Sequence, residues 1–426
     1  MDDLHGRFRR LDRVETPNLW NEAVGRAAEL ELAPRRAFTP SMGLIAVALL
    51  LAALGGTVAV GAWLNRSPSI PEIVTYDNGM IVATAECGRI VGIDPTSLET
   101  RELVGADCEG GPWAESPAWS SDGSRLAYLV TGEDQAAASV GIYEAATGEA
   151  RQVATCPEGF CGPMDISPDG SLVAFIASAS DGTPQQLAVL EVDSGEVHRL
   201  ELQSVPRQPR FSPDGTHIAL PLYGGRSGIY LVDVRGVKDG HIGSPTMLSG
   251  IVDADGVEWS PDGEWIAYSQ SGGFGVTDDS EPFNGQIGHS GVGIVVARTD
   301  GSESRILATG PAETGPSFPT WSADSASVAF VTTPEQGSAL SRWMLELWTV
   351  GIDGGEPTRI YASDWGKDMF GAPVWSPDGE WIAFGVNKPD DPSNTGTFLV
   401  RPDGSDVRRV SNEMLGPVWQ PIPRDP

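Results

Sequence analysis

Val257–Tyr268 reads VEWSPDGEWIAY, and Val374–Phe384 repeats it as VWSPDGEWIAF. Looser copies lie at Trp119–Tyr128, Ile166–Phe175, Phe211–Leu220 and Trp321–Phe330, with a truncated copy, GPVWQP, at Gly416–Pro421. In each full copy a large apolar residue precedes Ser-Pro-Asp-Gly or a variant of it, and a short apolar strand follows. Ser, Pro and Gly at the first, second and fourth places are the residue order of a type I turn. A Gly in the left-handed region then completes a hairpin with a bulge. The flanking residues are therefore neighbouring antiparallel strands whose large side chains alternate faces.

The leading residues, Trp119, Ile166, Phe211, Trp259, Trp321, Trp375 and Trp419, are spaced by 47, 45, 48, 62, 54 and 44 positions. Such a period fits one four-stranded propeller blade per copy, with insertions in the fourth and fifth intervals. A second hairpin follows the phrase at Gly141–Val153, Gly228–Val234, Gly293–Leu307, Leu347–Ile360 and Thr397–Val410. Ile81–Leu103 reads as three strands without an opening phrase, and Gly416–Trp419 as an opening strand without successors. Joined, they make one composite blade and remove the free sheet edges. The expectation is an all-β, seven-bladed β-propeller over residues 73–421, with a tail at 422–426. Six or eight blades stay open, because the 62-residue interval has room for irregular strands.

The phrase resembles the repeat of TolB-type, WD40-like propellers, a repeat also found in the propeller half of prolyl-oligopeptidase-family peptidases. The resemblance runs from about Ile73 to Pro421 and is specific for fold, not for activity. Ser121 stands where the pattern has Pro, Ile166 where it has an aromatic, and Ala323 and Ser325 where it has Pro and Gly. The turn at Ser325 is therefore expected to be looser than the rest.

Met42–Leu64 is an apolar run of 23 residues without a charge. As a helix it would be ~35 Å long, enough to span a hydrocarbon core. Val60-Gly61-Ala62 would suit a signal peptidase. However, the run exceeds a signal-peptide core and 41 residues precede it, so an uncleaved signal anchor is the reading adopted. Arg35 and Arg36 before the run, against Arg66 alone soon after it, place the N-terminus in the cytoplasm and the propeller outside. Residues 65–72 are a linker.

Residues 1–41 hold short amphipathic helical patterns. Leu4, Phe8 and Leu11 share one face; Thr16-Pro17 starts a second stripe, which Leu19, Trp20, Ala23, Val24, Ala27 and Ala28 continue up to Pro34. Membrane lying, disorder and a cytoplasmic protein partner for residues 1–36 stay open. This layout is similar to that of bacterial membrane-bound anti-sigma factors, which implies relay to a sigma factor. The Cys-x-x-Cys of the zinc-binding type is absent, as His5 has no cysteine in its segment.

The chain has 58 acidic and 28 basic residues, and the segment before the apolar run is balanced, so the exported part carries the whole net charge of −30. Such a surface repels nucleic acid and anionic headgroups and suits cationic ligands. All four cysteines, Cys87, Cys108, Cys156 and Cys161, follow the apolar run, which suits an oxidising compartment. Of the three possible pairings, the local one, Cys87–Cys108 with Cys156–Cys161, is preferred.

Motifs for chemistry are sparse. Gly288-His289-Ser290-Gly291-Val292 approaches a nucleophile elbow but fails at its last position and has no strand-turn-helix context. The peptidase resemblance would imply a hydrolase domain beside the propeller, and the sequence read here ends at Pro426. The Asp of each phrase is assigned to turn capping. Asp253-Ala254-Asp255, Asp278-Asp279 and Asp390-Asp391 lack calcium-loop spacing, and His5, His198, His217, His241 and His289 form no ligand pattern in sequence. Neither metal nor cofactor is expected. Ser271–Val292 is the longest loop, and its Phe274, Asp278, Asp279, Phe283 and His289 form the candidate ligand loop; Pro334–Arg342 and Lys388–Thr397 are smaller candidates. The channel mouth is the other natural site.

The sequence thus reads as a non-enzymatic, single-pass membrane protein whose lipid anchor is residues 42–64. Its exported propeller would bind an envelope protein, peptide or glycan. An envelope scaffold and a channel lyase or glycosidase are the rival readings.

Overall fold

The computed structural model describes residues 76–105, 113–131, 138–156, 159–179, 185–224, 227–249, 254–270, 292–310, 315–332, 346–362, 368–387, 395–412 and 415–423. Residues 1–41, the apolar run at 42–64, residues 65–72, Cys108 and the candidate ligand loop with Phe274, Asp278, Asp279, Phe283 and His289 lie outside the described residues. Among the described residues no helix is long and apolar enough to cross a membrane.

The chain folds into seven antiparallel sheets. β1 (Tyr76–Thr84), β2 (Ile90–Ile93) and β3 (Thr100–Val104) open the first blade. The second blade is β4 (Trp113–Trp119), β5 (Arg125–Thr131), β6 (Ala138–Glu144) and β7 (Glu149–Thr155). The third is β8 (Gly159–Ile166), β9 (Leu172–Ala179), β10 (Gln186–Glu191) and β11 (Val197–Glu201). In the fourth the first strand is broken into β12 (Val205–Pro206) and β13 (Arg210–Phe211), followed by β14 (His217–Tyr223), β15 (Gly228–Asp233) and β16 (Thr246–Ser249). The fifth is β17 (Ala254–Trp259), β18 (Trp265–Gln270), β19 (Val292–Arg298) and β20 (Ser304–Gly310). The sixth is β21 (Ser317–Trp321), β22 (Ser327–Thr332), β23 (Glu346–Gly351) and β24 (Thr358–Ala362). The seventh is β25 (Asp368–Trp375), β26 (Ile382–Asn387), β27 (Gly396–Val400) and β28 (Arg408–Ser411). β29 (Leu415–Pro423) returns to pair with β1, Ile81 opposite Trp419, and completes the first blade as its innermost strand. The blade count is therefore seven.

Both faces of each blade are apolar, so the core is divided among the blade junctions. In β9, Val173 and Phe175 pack toward the second blade with Val140, Ile142 and Ile166 nearby. Their neighbours Leu172, Ala174 and Ile176 pack toward Ile218, Leu220 and Tyr230 of the fourth blade. The same alternation builds clusters at the other five junctions, including the one between the seventh and first blades, where Trp381 and Ala383 meet Ile81, Ile93 and Trp419. Tyr268, Phe330 and Phe384, the closing aromatics of three phrases, are among the largest fully buried side chains. Burying one such side chain contributes about 1.5–3 kcal/mol.

The phrase itself is a polar clamp. The fourth residue of each turn donates its N–H to the leading Ser carbonyl at 2.8–2.9 Å. Each buried Ser hydroxyl donates to the Asp two residues on at 2.5–2.6 Å and accepts the N–H five residues on at 2.9–3.1 Å. The turn Asp residues thus cap backbone and hydroxyl groups, and no buried hydroxyl is left unsatisfied in the clamp. The expected loosening at Ser325 does not occur. Ser325 takes the left-handed conformation at φ 59° and keeps the turn bond at 2.9 Å. Asp324 fixes that turn through Ser322 and the Ala326 N–H, and Ser325 Oγ accepts the Asp262 N–H of the fifth blade at 3.1 Å. A bond across the junction offsets the cost of a Cβ in this region.

Similar bonds link turns across three other junctions on the same face. Asp122 N–H donates to Pro168 O, Asn78 and Asp378 bond reciprocally, and Gln420 Nε2 donates to Gly123 O at 2.9 Å. A Cβ on Gly123, at φ 67°, would sit 1.9 Å from Pro421 O. Gly123→Ala should therefore lower stability by roughly 3 kcal/mol or more, combining left-handed strain with a backbone clash. Gly240, at φ 78° with nothing within 4 Å of an added Cβ, is the control; Gly240→Ala should cost only about 1 kcal/mol. Urea denaturation measures both, and equal losses would mean that the contact between the first and second blades does not hold their junction.

Candidate functional site

The innermost strands touch in cyclic order, β29 to β4, β8, β13, β17, β21, β25 and back to β29, and so line the axis. Each is a sheet edge with one row of backbone groups unpaired by its own sheet. The sequence blunts this edge with proline at Pro117, Pro163, Pro209, Pro319, Pro373 and Pro417, residues that lack the N–H an inner ladder would require. Each of these strands is also interrupted. Register shifts fall between Glu115 and Ala118, Cys161 and Met164, Asp255 and Glu258, Ser317 and Thr320, and Phe370 and Val374. β29 carries its own shift against β1, and the fourth blade is split outright. Ser116 and Phe318 adopt left-handed φ values of 54° and 52° at these bulges. Non-glycine residues held so are a mark of functional surfaces.

Strand order gives the channel two ends. The Ser-x-Asp turns and the outer hairpin turns lie on one face. The ends of the strands that lead into the blade-to-blade connections and into the links from second to third strands lie on the other. At this loop face the strands nearest the axis expose large apolar side chains: Trp113 (54 %), Val205 (51 %), Phe318 (48 %) and, paired with Val205, Tyr223 (45 %). Arg207 lies over the Tyr223 ring, 5.8 Å from its centroid.

Deeper, one residue before the leading aromatic or apolar position, three consecutive blades carry Asp165, Arg210 and Glu258. Arg210 Nε donates to Glu258 Oε2 at 3.0 Å, and its Nη1 lies 3.7 Å from Asp165 Oδ1. The Gln208 amide, turned with Oε1 toward the guanidinium, accepts from Nη1 at 2.8 Å and Nη2 at 3.1 Å. Asp165 Oδ2 accepts the Phe211 N–H at 2.7 Å, and the Trp259 and Trp321 indoles donate to the Arg210 and Glu258 carbonyls at 3.1 Å each. Burial pushes the Asp165 carboxyl up to about 6 against the pull of Arg210 and the Phe211 N–H, and the Glu258 charge adds to the rise. Burial raises Glu258 as well, against Arg210. The cluster thus places one cation between two carboxylates that are reluctant to ionise.

None of the three was singled out from the sequence. The signal was present in the column that precedes the leading residue, Ala118, Asp165, Arg210, Glu258, Thr320, Val374 and Val418, where charge of alternating sign fills three successive blades. Of the cysteines, Cys156 and Cys161 are joined, with Cα atoms 6.1 Å apart, and tie the outermost strand of the second blade to the innermost strand of the third. Cys87 is also disulfide-bonded.

A carboxyl whose folded pKa exceeds its unfolded value adds stability in acid and loses it as pH rises through the folded pKa. Asp165 should therefore weaken the fold progressively between about pH 4 and pH 6. Asp165→Asn imitates the protonated acid and keeps an acceptor for Phe211 N–H. It should leave stability nearly unchanged at pH 3.5 and raise it at pH 7.5 by about 1–3 kcal/mol. Chemical denaturation across this range measures the difference, and a pH-independent difference would rule out the assignment.

The TolB beta propeller domain family matches residues 113–340. Among solved structures, a functionally unknown protein from Desulfotomaculum acetoxidans is 15% identical, with 82% of this chain and 100% of that one covered, at a TM-score of 0.54. The β-propeller domain of the Trilobed protease from Pyrococcus furiosus is 13% identical over 80% of this chain and 96% of that one, also at 0.54. TolB from Acinetobacter baumannii is 19% identical over 67% of this chain at a TM-score of 0.45, and the chain spans 64% of that protein's length. No curated protein matches the chain. With more than half of its sequence matched and seven closed four-stranded blades, the chain belongs to the TolB β-propeller domain family.

Proposed function

We propose that this protein is a membrane-anchored, extracytoplasmic receptor without enzymatic activity, whose propeller captures a protein, peptide or glycan at the loop-face mouth of its channel. The carrying observation is the juxtaposition of exposed Trp113, Val205, Tyr223 and Phe318 around an axis that holds Asp165, Arg210 and Glu258. Aromatic rings supply contact area at low entropy cost, and a partly desolvated charge cluster supplies selectivity. The net charge of −30 favours a ligand with cationic groups and steers its approach. The apolar run at 42–64 supports a single-pass anchor with the propeller outside, and the disulfide supports an oxidising compartment. The amphipathic residues 1–36 would carry occupancy to a cytoplasmic partner.

A second reading has one observation in its favour. Asp165, with its carboxyl near 6, is suited to proton transfer, as a channel lyase or glycosidase would need.

Site-specific photo-crosslinking in living cells tests the first reading. A photoreactive side chain at Phe318 should trap an envelope partner, whereas one at Met247, equally exposed on an outer strand, should not. Deleting residues 1–36 should release any cytoplasmic protein from the complex without affecting the envelope crosslink. Crosslinking of equal strength at both positions would reject the channel mouth, and an Asp165-dependent turnover of oligosaccharide would favour the enzyme.

A further inference from the structure

On the outer hairpin of the third blade, Glu191 stands opposite Glu196. The register runs Val189 to His198 and Leu190 to Val197, and the Glu191 N–H donates to the Glu196 carbonyl at 2.9 Å. Alternation along β11 then puts His198 on the same side as Glu196. His198 Nε2 lies 3.0 Å from Glu191 Oε1 and 3.9 Å from Glu196 Oε1, and the three donor atoms fall within 4.8 Å of one another.

This arrangement is poor design for a bare hairpin. Like charges directly opposite on paired strands repel, and the domain around them is already strongly acidic. The site also has a fixed part and an adjustable part. The His198 side chain is 11% exposed and the Glu191 side chain 18%, whereas Glu196 is 67% exposed and free to change rotamer. Ser194 Oγ donates to the second Glu191 oxygen at 3.3 Å, the kind of outer contact that orients a ligating carboxylate. One imidazole nitrogen and two carboxylate oxygens form a donor set for a borderline divalent ion such as Zn(II) or Mn(II); calcium and magnesium favour oxygen-only sets.

We propose that Glu191, Glu196 and His198 form a transition-metal site on the third blade. It lies on the turn face, at the opposite end of the propeller from the loop-face mouth. Three protein donors leave coordination positions for water or for a group from another molecule.

The full chain, stripped with chelator, is dialysed against Zn(II) or Mn(II) in excess calcium, which saturates the diffuse acidic surface. Retained metal is then measured by atomic emission. The wild type and an acidic-surface control, Glu356→Gln, should retain one saturable ion. His198→Ala and Glu191→Gln should bind it roughly tenfold or more weakly. Glu196→Lys should retain none and should melt higher than the metal-free wild type, because it replaces the like-charge pair with an opposite one. Absence of a saturable ion in the wild type overturns the proposal, as does equal retention in His198→Ala.

Discussion

Every blade of this protein is apolar on both sides, and that constraint organises everything else. A four-stranded sheet with two such faces cannot be stable alone, because one face or the other always meets water. Stacking postpones the problem, and only a closed ring abolishes it. The seven apolar clusters at the seven junctions are that solution, and the strand alternation seen in β9 is its local form. Ring closure then fixes what remains available for function. The outer strands are exposed mainly through polar residues, whereas the inner strands keep an unpaired backbone edge that faces the axis.

Several costly choices meet along that edge. Ser116 and Phe318 occupy left-handed backbone, Phe318 and Trp113 face solvent, and burial holds the Asp165 carboxyl above its usual range. None of these choices helps the fold. Proteins commonly place such costs at working surfaces, where stability and activity conflict. Their coincidence with an unpaired backbone edge and a charge cluster is the physical reason for preferring the channel over the outer wall as the binding surface.

Much of the fold was legible because its signal is periodic. The spacing of Trp119 through Trp419 gave the blade, and the order Ser-Pro-Asp-Gly gave the turn. What escaped was whatever depends on a neighbour. Ser325 reads as a defect in its own turn, yet its hydroxyl serves Asp262 in the next blade. Asp165, Arg210 and Glu258 are about a blade apart in sequence and converge only because successive inner strands touch. His198 looked isolated among scattered histidines until strand register set it beside Glu191. The candidate site is built on strands that the repeat pattern located but did not interpret.

The pairing of β29 with β1 has a consequence for how the chain comes into being. Tyr76 is synthesised before the strands of the other six blades and its partner Pro423 after them, so the first blade stays without its inner strand until those blades have emerged. During that interval the seventh and second blades each lack a complete neighbour, and their apolar faces are open to misplaced partners. Topologies closed by such distant contacts fold slowly, and their late intermediates are the ones that aggregate or recruit chaperones. Its maturation is therefore expected to be governed by a single late event, the arrival of nine residues at an edge prepared long before.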